Sequence, residues 1–192
     1  MLVAALYVDP RGPYPRMIDV DCWDESRDAR MYDGPWPVVA HPPCRNWGSL
    51  KHLATGDDSD CGPRAVEQVR LFGGVLEHPA RSSLFRSCGM PEPGELPDTF
   101  GGRAVEICQV DFGHVARKRT WLYVVGTSTL PPMPAPREPT HWVSGGRKHQ
   151  RKGSGGVVPP GIKVCSAQQR RRTPPAFAEW LITIARSVHF ST

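Results

Sequence analysis

Val38-Val39-Ala40-His41-Pro42-Pro43-Cys44, then Gly62 to Phe72, then Gly73-Gly74-Val75-Leu76-Glu77-His78-Pro79 is the stretch on which the fold turns. Val38 to Ala40 is a continuous apolar run stopped by prolines, and Gly74 to Leu76 is another stopped by a charge. Such runs suit strands covered on both faces. Between them Ala65, Val66, Val69 and Phe72 recur at helical spacing. Strand, helix, strand is the crossover unit of a parallel sheet. Working outward, Val3 to Val8 and Trp121 to Val125 predict two more strands. Pro175 to Val188 predicts a last helix, with Thr173 as its cap and Ala176, Phe177, Trp180, Leu181 and Ile184 as its buried face. The expected architecture is α/β: a catalytic core over 1–126, a basic Pro/Gly-rich recognition loop over 127–172, and a C-terminal helix over 173–192 that packs back on the core.

A chain of 192 residues with 39% hydrophobic content can bury one domain-sized core, while 21 prolines and 19 glycines foretell long connections. The apolar start, Met1 to Val8, is too short for a secretory leader. No run approaches the roughly 20 apolar residues of a membrane span. A cytoplasmic protein of a bacterial or phage-infected cell is therefore expected, without a membrane partner, its six cysteines (22, 44, 61, 88, 108 and 165) present as thiols. The net charge of +5 is unevenly placed. Arg137 to Arg172 holds nine of the 24 basic residues and one of the 19 acids, which leaves 15 basic and 18 acidic residues elsewhere. A concentrated basic segment is the footprint of phosphate-backbone contact, or of a solvated loop.

Ligands of open α/β sheets sit at the carboxyl ends of the strands. Three runs end there in polar residues: Asp9, the His41 to Cys44 run, and Glu77-His78. Two prolines carry the Cys44 thiol on a stiff turn. Glu77 ends a buried run, where a carboxylate either caps a turn or is held for use, the latter favoured because buried carboxylates with raised pKa are common in active sites. A thiolate can add to carbon 6 of a pyrimidine and make carbon 5 nucleophilic, while a carboxylic acid at the ring nitrogen disperses the charge. Arg117-Lys118-Arg119 offers a cation for the same site.

These motifs resemble, in order and spacing, those of the cytosine-5 DNA methyltransferases, especially the shortened phage-type members. Val38 to Cys44 looks like their strand and Pro-Cys nucleophile, and Leu76-Glu77-His78-Pro79 resembles their Glu-Asn-Val or Glu-Asn-Pro motif. Phe112-Gly113-His114 with Lys118, Thr120 and Leu122 is similar to their Phe-Gly-His segment and following Lys, and Arg170 to Pro175 with Ala178 to their approach to the final helix. The resemblance implies a truncated Rossmann-like methyltransferase fold with Cys44, Glu77 and Lys118 catalytic. It implies substrate contacts from His41, Pro43, His78, Arg117 and Arg119, and DNA contacts from Arg147, Lys148, Arg151, Lys152, Arg170, Arg171 and Arg172. The target-recognition segment would lie over Thr127 to Gly161, and the target base would be flipped out of the duplex.

The family's glycine-rich S-adenosylmethionine loop has no counterpart in the sequence. Leu2 to Val8 matches the family's second strand, with Asp9 near the ribose-binding acid, so that a strand, a helix and the Gly loop look deleted. The donor is then S-adenosylmethionine, held with elements from a protein partner, or a folate-borne one-carbon unit, or none, as in deamination. Two rivals stand beside this reading: a catalytically inactive nucleic-acid-binding homologue, and a metal protein using His41, Cys44, His52, Cys61, His78 and Cys88, whose spacings lack the pairing expected of a zinc site.

Overall fold

In a computed structural model, which describes residues 1–48, 58–143, 161 and 163–189, the chain forms a six-stranded sheet in the order β2-β1-β3-β4-β6-β5. The strands are β1 (Val3–Leu6), β2 (Val20–Trp23), β3 (Val38–Ala40), β4 (Gly74–Pro79), β5 (Arg103–Cys108) and β6 (Arg119–Val125). β1 to β4 pair in parallel, whereas β6 runs antiparallel to both β4 and β5. The fold is thus α/β with a mostly parallel central sheet flanked by helices, compatible with a Rossmann-like architecture.

Each face of the sheet buries a separate apolar cluster. Helix α1 (Cys61–Phe72) presents Ala65, Val66 and Val69 to the face that carries Ala40 and Leu76, and the short helix α2 (Ser83–Ser87) adds Leu84 and Phe85 there. On the other face α4 (Pro175–Arg186) packs Phe177, Ala178, Trp180, Leu181 and Ile184 against Val39, Val75 and Val124. Pro174, not Thr173, occupies the α4 N-cap, and Ala176 is exposed, one step off the buried stripe. At the turn into β4, Gly74 has φ +117°, and a Cβ there would run into the Val38 carbonyl; only glycine lets β3 and β4 close up at this point.

The two strands that the sequence hid are the edges. β2 and β5 are half-exposed along most of their length and carry charges, Asp21 in one and Arg103 and Glu106 in the other. Edge strands need no continuous apolar run, since only part of their surface is covered. β1 stops two residues early because Tyr7 turns left-handed at φ 58°. The segment after β6 is less featureless than its composition: β7 (His141–Trp142) pairs with β8 (Lys163–Val164), and α3 (Ala167–Arg171) is capped by Ser166 in a capping box with Gln169.

The sheet order also changes the position of β1. It lies between β2 and β3, where the strand order reverses, which is the place of the first strand in a doubly wound sheet and not of the second. What is missing is a helix between β1 and β2, where the chain makes only a 3-10 turn, Tyr14–Arg16.

Candidate active site

Parallel pairing sets Val39 beside Val75 and Ala40 beside Leu76, so the next residues, His41 and Glu77, emerge side by side on one face at the carboxyl edge. His41 Nδ1 lies 2.9 Å from Glu77 Oε2. Its other nitrogen, Nε2, lies 2.6 Å from the Tyr14 hydroxyl. Gln109 Nε2 donates to Glu77 Oε1 at 3.0 Å and to Thr120 Oγ1 at 3.0 Å. Tyr14, Gln109 and Thr120 are buried, so the Glu77 carboxylate is gripped from two sides in a site shielded from water.

Burial works to raise the Glu77 pKa, but the Lys118 charge, the hydrogen bond from His41, and the His41 and His78 rings outweigh it and bring it down to about 2. The buried carboxylate is therefore held ionised, opposite to the raised pKa that burial alone foretells. Lys118 reaches this edge because β6 is antiparallel: Thr120 pairs with Pro79, so β6 begins where β4 ends. The Lys118 carbonyl is fixed by the Gln109 amide at 3.0 Å and the Thr120 hydroxyl at 3.2 Å.

After His41 the two prolines lead to Cys44, an exposed residue. Its carbonyl accepts from the amides of Trp47 at 3.1 Å and Gly48 at 2.8 Å. The Trp47 carbonyl is held in turn by Ser83 N at 3.0 Å, Ser83 Oγ at 3.1 Å and Ser82 Oγ at 3.3 Å, which pins the cysteine turn to the start of α2. Cys44 opens to solvent, yet the protein around it desolvates the thiolate and, with the Glu77 charge, pushes its pKa up, while Lys118 and Arg171 oppose the rise. Glu77, Lys118 and Arg171 are thus all near enough for their charges to act on the Cys44 thiol.

Arg171 arrives through His114, which the Phe112-Gly113-His114 run carries. His114 Nε2 lies 3.0 Å from the Gln169 carbonyl of α3, while Nδ1 lies 2.8 Å from the Ala116 carbonyl and 3.1 Å from the Ala116 amide. Arg170, Arg171 and Arg172 are all exposed. Arg147, Lys148, Arg151, Lys152 and His52 lie outside the described residues.

Several expected contacts fall elsewhere. His78 is 0% exposed and points to the opposite face from Glu77, so it offers no atom to a substrate at this edge. Burial, against the pull of Glu77, brings its pKa down to about 4 and keeps the ring neutral at pH 7. Arg119 is tied to Glu106 at 2.7 Å and Arg117 to Glu138 at 3.5 Å, both at the surface. Pro43 is half-buried beside the site. Asp9 is exposed and holds the Arg11 amide at 2.9 Å; with β1 in a first-strand position, the acid after the second strand is Asp24, not Asp9. A cleft of about 610 Å³ opens between α2 and the start of β6, lined by Arg81, Ser83, Arg86, Glu106, Arg119 and Trp121 and by no residue of the cysteine turn. Tyr14 and Gln109 were not legible in the sequence as site residues: one looks like a turn aromatic between prolines, the other like an ordinary polar residue.

The residues after β1 do not form the cradle that S-adenosylmethionine would need. Pro10, Pro13 and Pro15 remove amide donors, no α-helix begins there, and the buried Tyr14 ring packs in one cluster with Val8 and Val39. Asp24 is occupied by the Ser26 amide at 2.9 Å and the Arg27 amide at 3.2 Å. Among the described residues, no group of three or more His, Cys, Asp or Glu side chains is placed to hold a metal ion, and no helix is long and apolar enough to cross a membrane. Comparison with protein-family models and with curated proteins finds no match.

Proposed function

We propose that the chain is a DNA cytosine-5-modifying enzyme of truncated methyltransferase type, acting through a covalent bond between Cys44 and carbon 6 of the base. The observation that supports this reading is the gathering, at one sheet edge, of a cysteine on a proline-stiffened turn, a fixed, ionised carboxylate and, just before antiparallel β6, a lysine charge. The Cys44 thiolate forms the S–C6 bond, the C5=C6 electron pair shifts toward C5, and N3 takes up a proton under the charge of Glu77. Carbon 5 can then take an electrophile; loss of the C5 proton and of the thiolate, with return of the N3 proton, restores the ring. Arg170, Arg171 and Arg172 are the described cations suited to phosphates beside an extruded base.

The unsuited loop after β1 favours a donor other than S-adenosylmethionine, such as a folate-borne carbon, or one held together with a second protein. Two measurements test the reading. Purified protein in deuterium oxide should exchange the C5 hydrogen of cytosine in single-stranded DNA without any donor, and Cys44→Ala should abolish the exchange. DNA from cells expressing the wild type should contain a modified cytosine that is missing with Cys44→Ala. Absence of exchange by the wild type would leave the inactive nucleic-acid-binding homologue as the better account.

A further inference from the structure

We propose that His41 is a positioning residue, locked by Tyr14 as the Nδ1–H tautomer so that it holds Glu77 as a charged, fixed carboxylate for the N3-protonated edge of the pyrimidine. The inference rests on the covalent reading above and adds two residues to it. The Tyr14 side chain is buried, and among the described residues its hydroxyl has one hydrogen-bond partner, His41 Nε2 at 2.6 Å. Burial, followed by the Glu77 and Cys22 charges, holds the phenol well above its ordinary pKa, so it keeps its hydrogen and donates it. Nε2 is then an acceptor, and the ring hydrogen sits on Nδ1, 2.9 Å from Glu77 Oε2. A doubly protonated ring would leave the phenol hydrogen buried without an acceptor, which is costly.

Gln109 fixes the second carboxylate oxygen in the same manner. Thr120 Oγ1 donates to the Lys118 carbonyl and so accepts from Gln109, which settles which end of the amide faces Glu77. The carboxylate is thus prevented from rotating. A charged carboxylate does not suit neutral cytosine, whose N3 is an acceptor. It suits the N3-protonated ring, which presents N3–H and N4–H side by side as a bidentate donor pair. Protons balance without an external acid: Cys44 gives up its thiol proton as the S–C6 bond forms, and N3 gains one. The groups that bear on this balance are Cys44 after β3, Lys118 before β6, His78 on the far face of β4, Tyr14 and, beside it, Cys22 of β2, and Arg171 of α3.

The experiment compares the full chain with His41→Leu, His41→Asn and Tyr14→Phe, each checked for cooperative melting. Exchange of the cytosine C5 hydrogen in a single-stranded oligonucleotide is followed against pH, and the ring nitrogens of His41 are observed by 15N NMR. His41→Leu should slow exchange about 100-fold and move the acid limb of its pH profile upward. His41→Asn, whose amide nitrogen lies where Nδ1 was, should recover most of the rate. The wild-type ring should carry its hydrogen on Nδ1, and Tyr14→Phe should give a mixture of tautomers. A hydrogen on Nε2 in the wild type overturns the proposal, as does exchange by His41→Leu at the wild-type rate with an unmoved profile, or exchange by His41→Asn as slow as that of His41→Leu. If His41→Leu does not fold, His41→Asn and the tautomer decide. No exchange by the wild type sinks the covalent reading and this one together, whereas equal exchange by wild type and His41→Leu sinks this one alone.

Discussion

Glu77 and His78 are neighbours on β4, both are buried, and they face opposite sides of the sheet. Glu77 meets His41, Gln109 and the Lys118 charge, and remains an anion. His78 meets an apolar cluster, its ring nitrogens make no hydrogen bond of good geometry among the described residues, and it stays neutral. The Glu77 charge and the nearby Pro43 carbonyl favour a charged ring, yet desolvation wins. Burial penalises charge on both faces, and the polar groups supplied by distant segments decide which residue keeps it.

The largest break in this contrast comes from removing the charge. Glu77→Gln keeps the shape of the side chain and should lower C5-hydrogen exchange by about 100-fold or more, measured as single-turnover rates on one oligonucleotide. A rate within a factor of two of the wild type would mean that the anion has no role. The same pair should also divide acid denaturation into two windows. Glu77 is more acidic in the folded chain, about 2 against an ordinary 4.5, so its stabilisation is complete above 4.5 and is lost as pH falls through 2. His78 is less basic when folded, about 4 against 6.5, so protonation favours the unfolded chain and stability declines as pH falls from 6.5 to 4. Each window is expected to be on the order of 3 kcal/mol. Urea titrations at stepped pH should show the upper loss vanish in His78→Leu and the lower one vanish in Glu77→Gln.

A smaller effect sharpens the comparison from the partner's side. Gln109→Leu deletes one of the two donors to Glu77 and should cost about 1–2 kcal/mol in urea denaturation at pH 7, with the acid window moved upward. The smallest change is expected on the apolar face. His78→Leu replaces a buried, poorly hydrogen-bonded imidazole and should be neutral or stabilising within about 1 kcal/mol, with unchanged exchange activity. A marked loss of activity in that variant would show that the two faces of β4 are coupled.

The main elements of the fold were legible because covered strands and amphipathic helices have strong local signatures. β3, β6 and α1 lie within two residues of where the apolar runs place them. β2 and β5 were not legible, since partial cover leaves short edge strands with mixed composition. Within the site, Cys44 and Glu77 stood out because a proline pair and a charge ending an apolar run are local anomalies. Tyr14 and Gln109 carry no such mark: each is polar only through a partner 27 or 32 residues away.

The sequence by itself determined a parallel strand-helix-strand unit with a thiol and a carboxylate at its carboxyl ends, because hydrophobic periodicity and proline stops are written locally. Only the tertiary structure decided that β6 runs backwards and so brings Lys118 to the same edge, that Tyr14 packs in one cluster with Val8 and Val39, and that His78 faces away. Strand direction, pairing order and the charge of a buried group depend on contacts between residues far apart in the chain, and such contacts leave no period in the sequence to read.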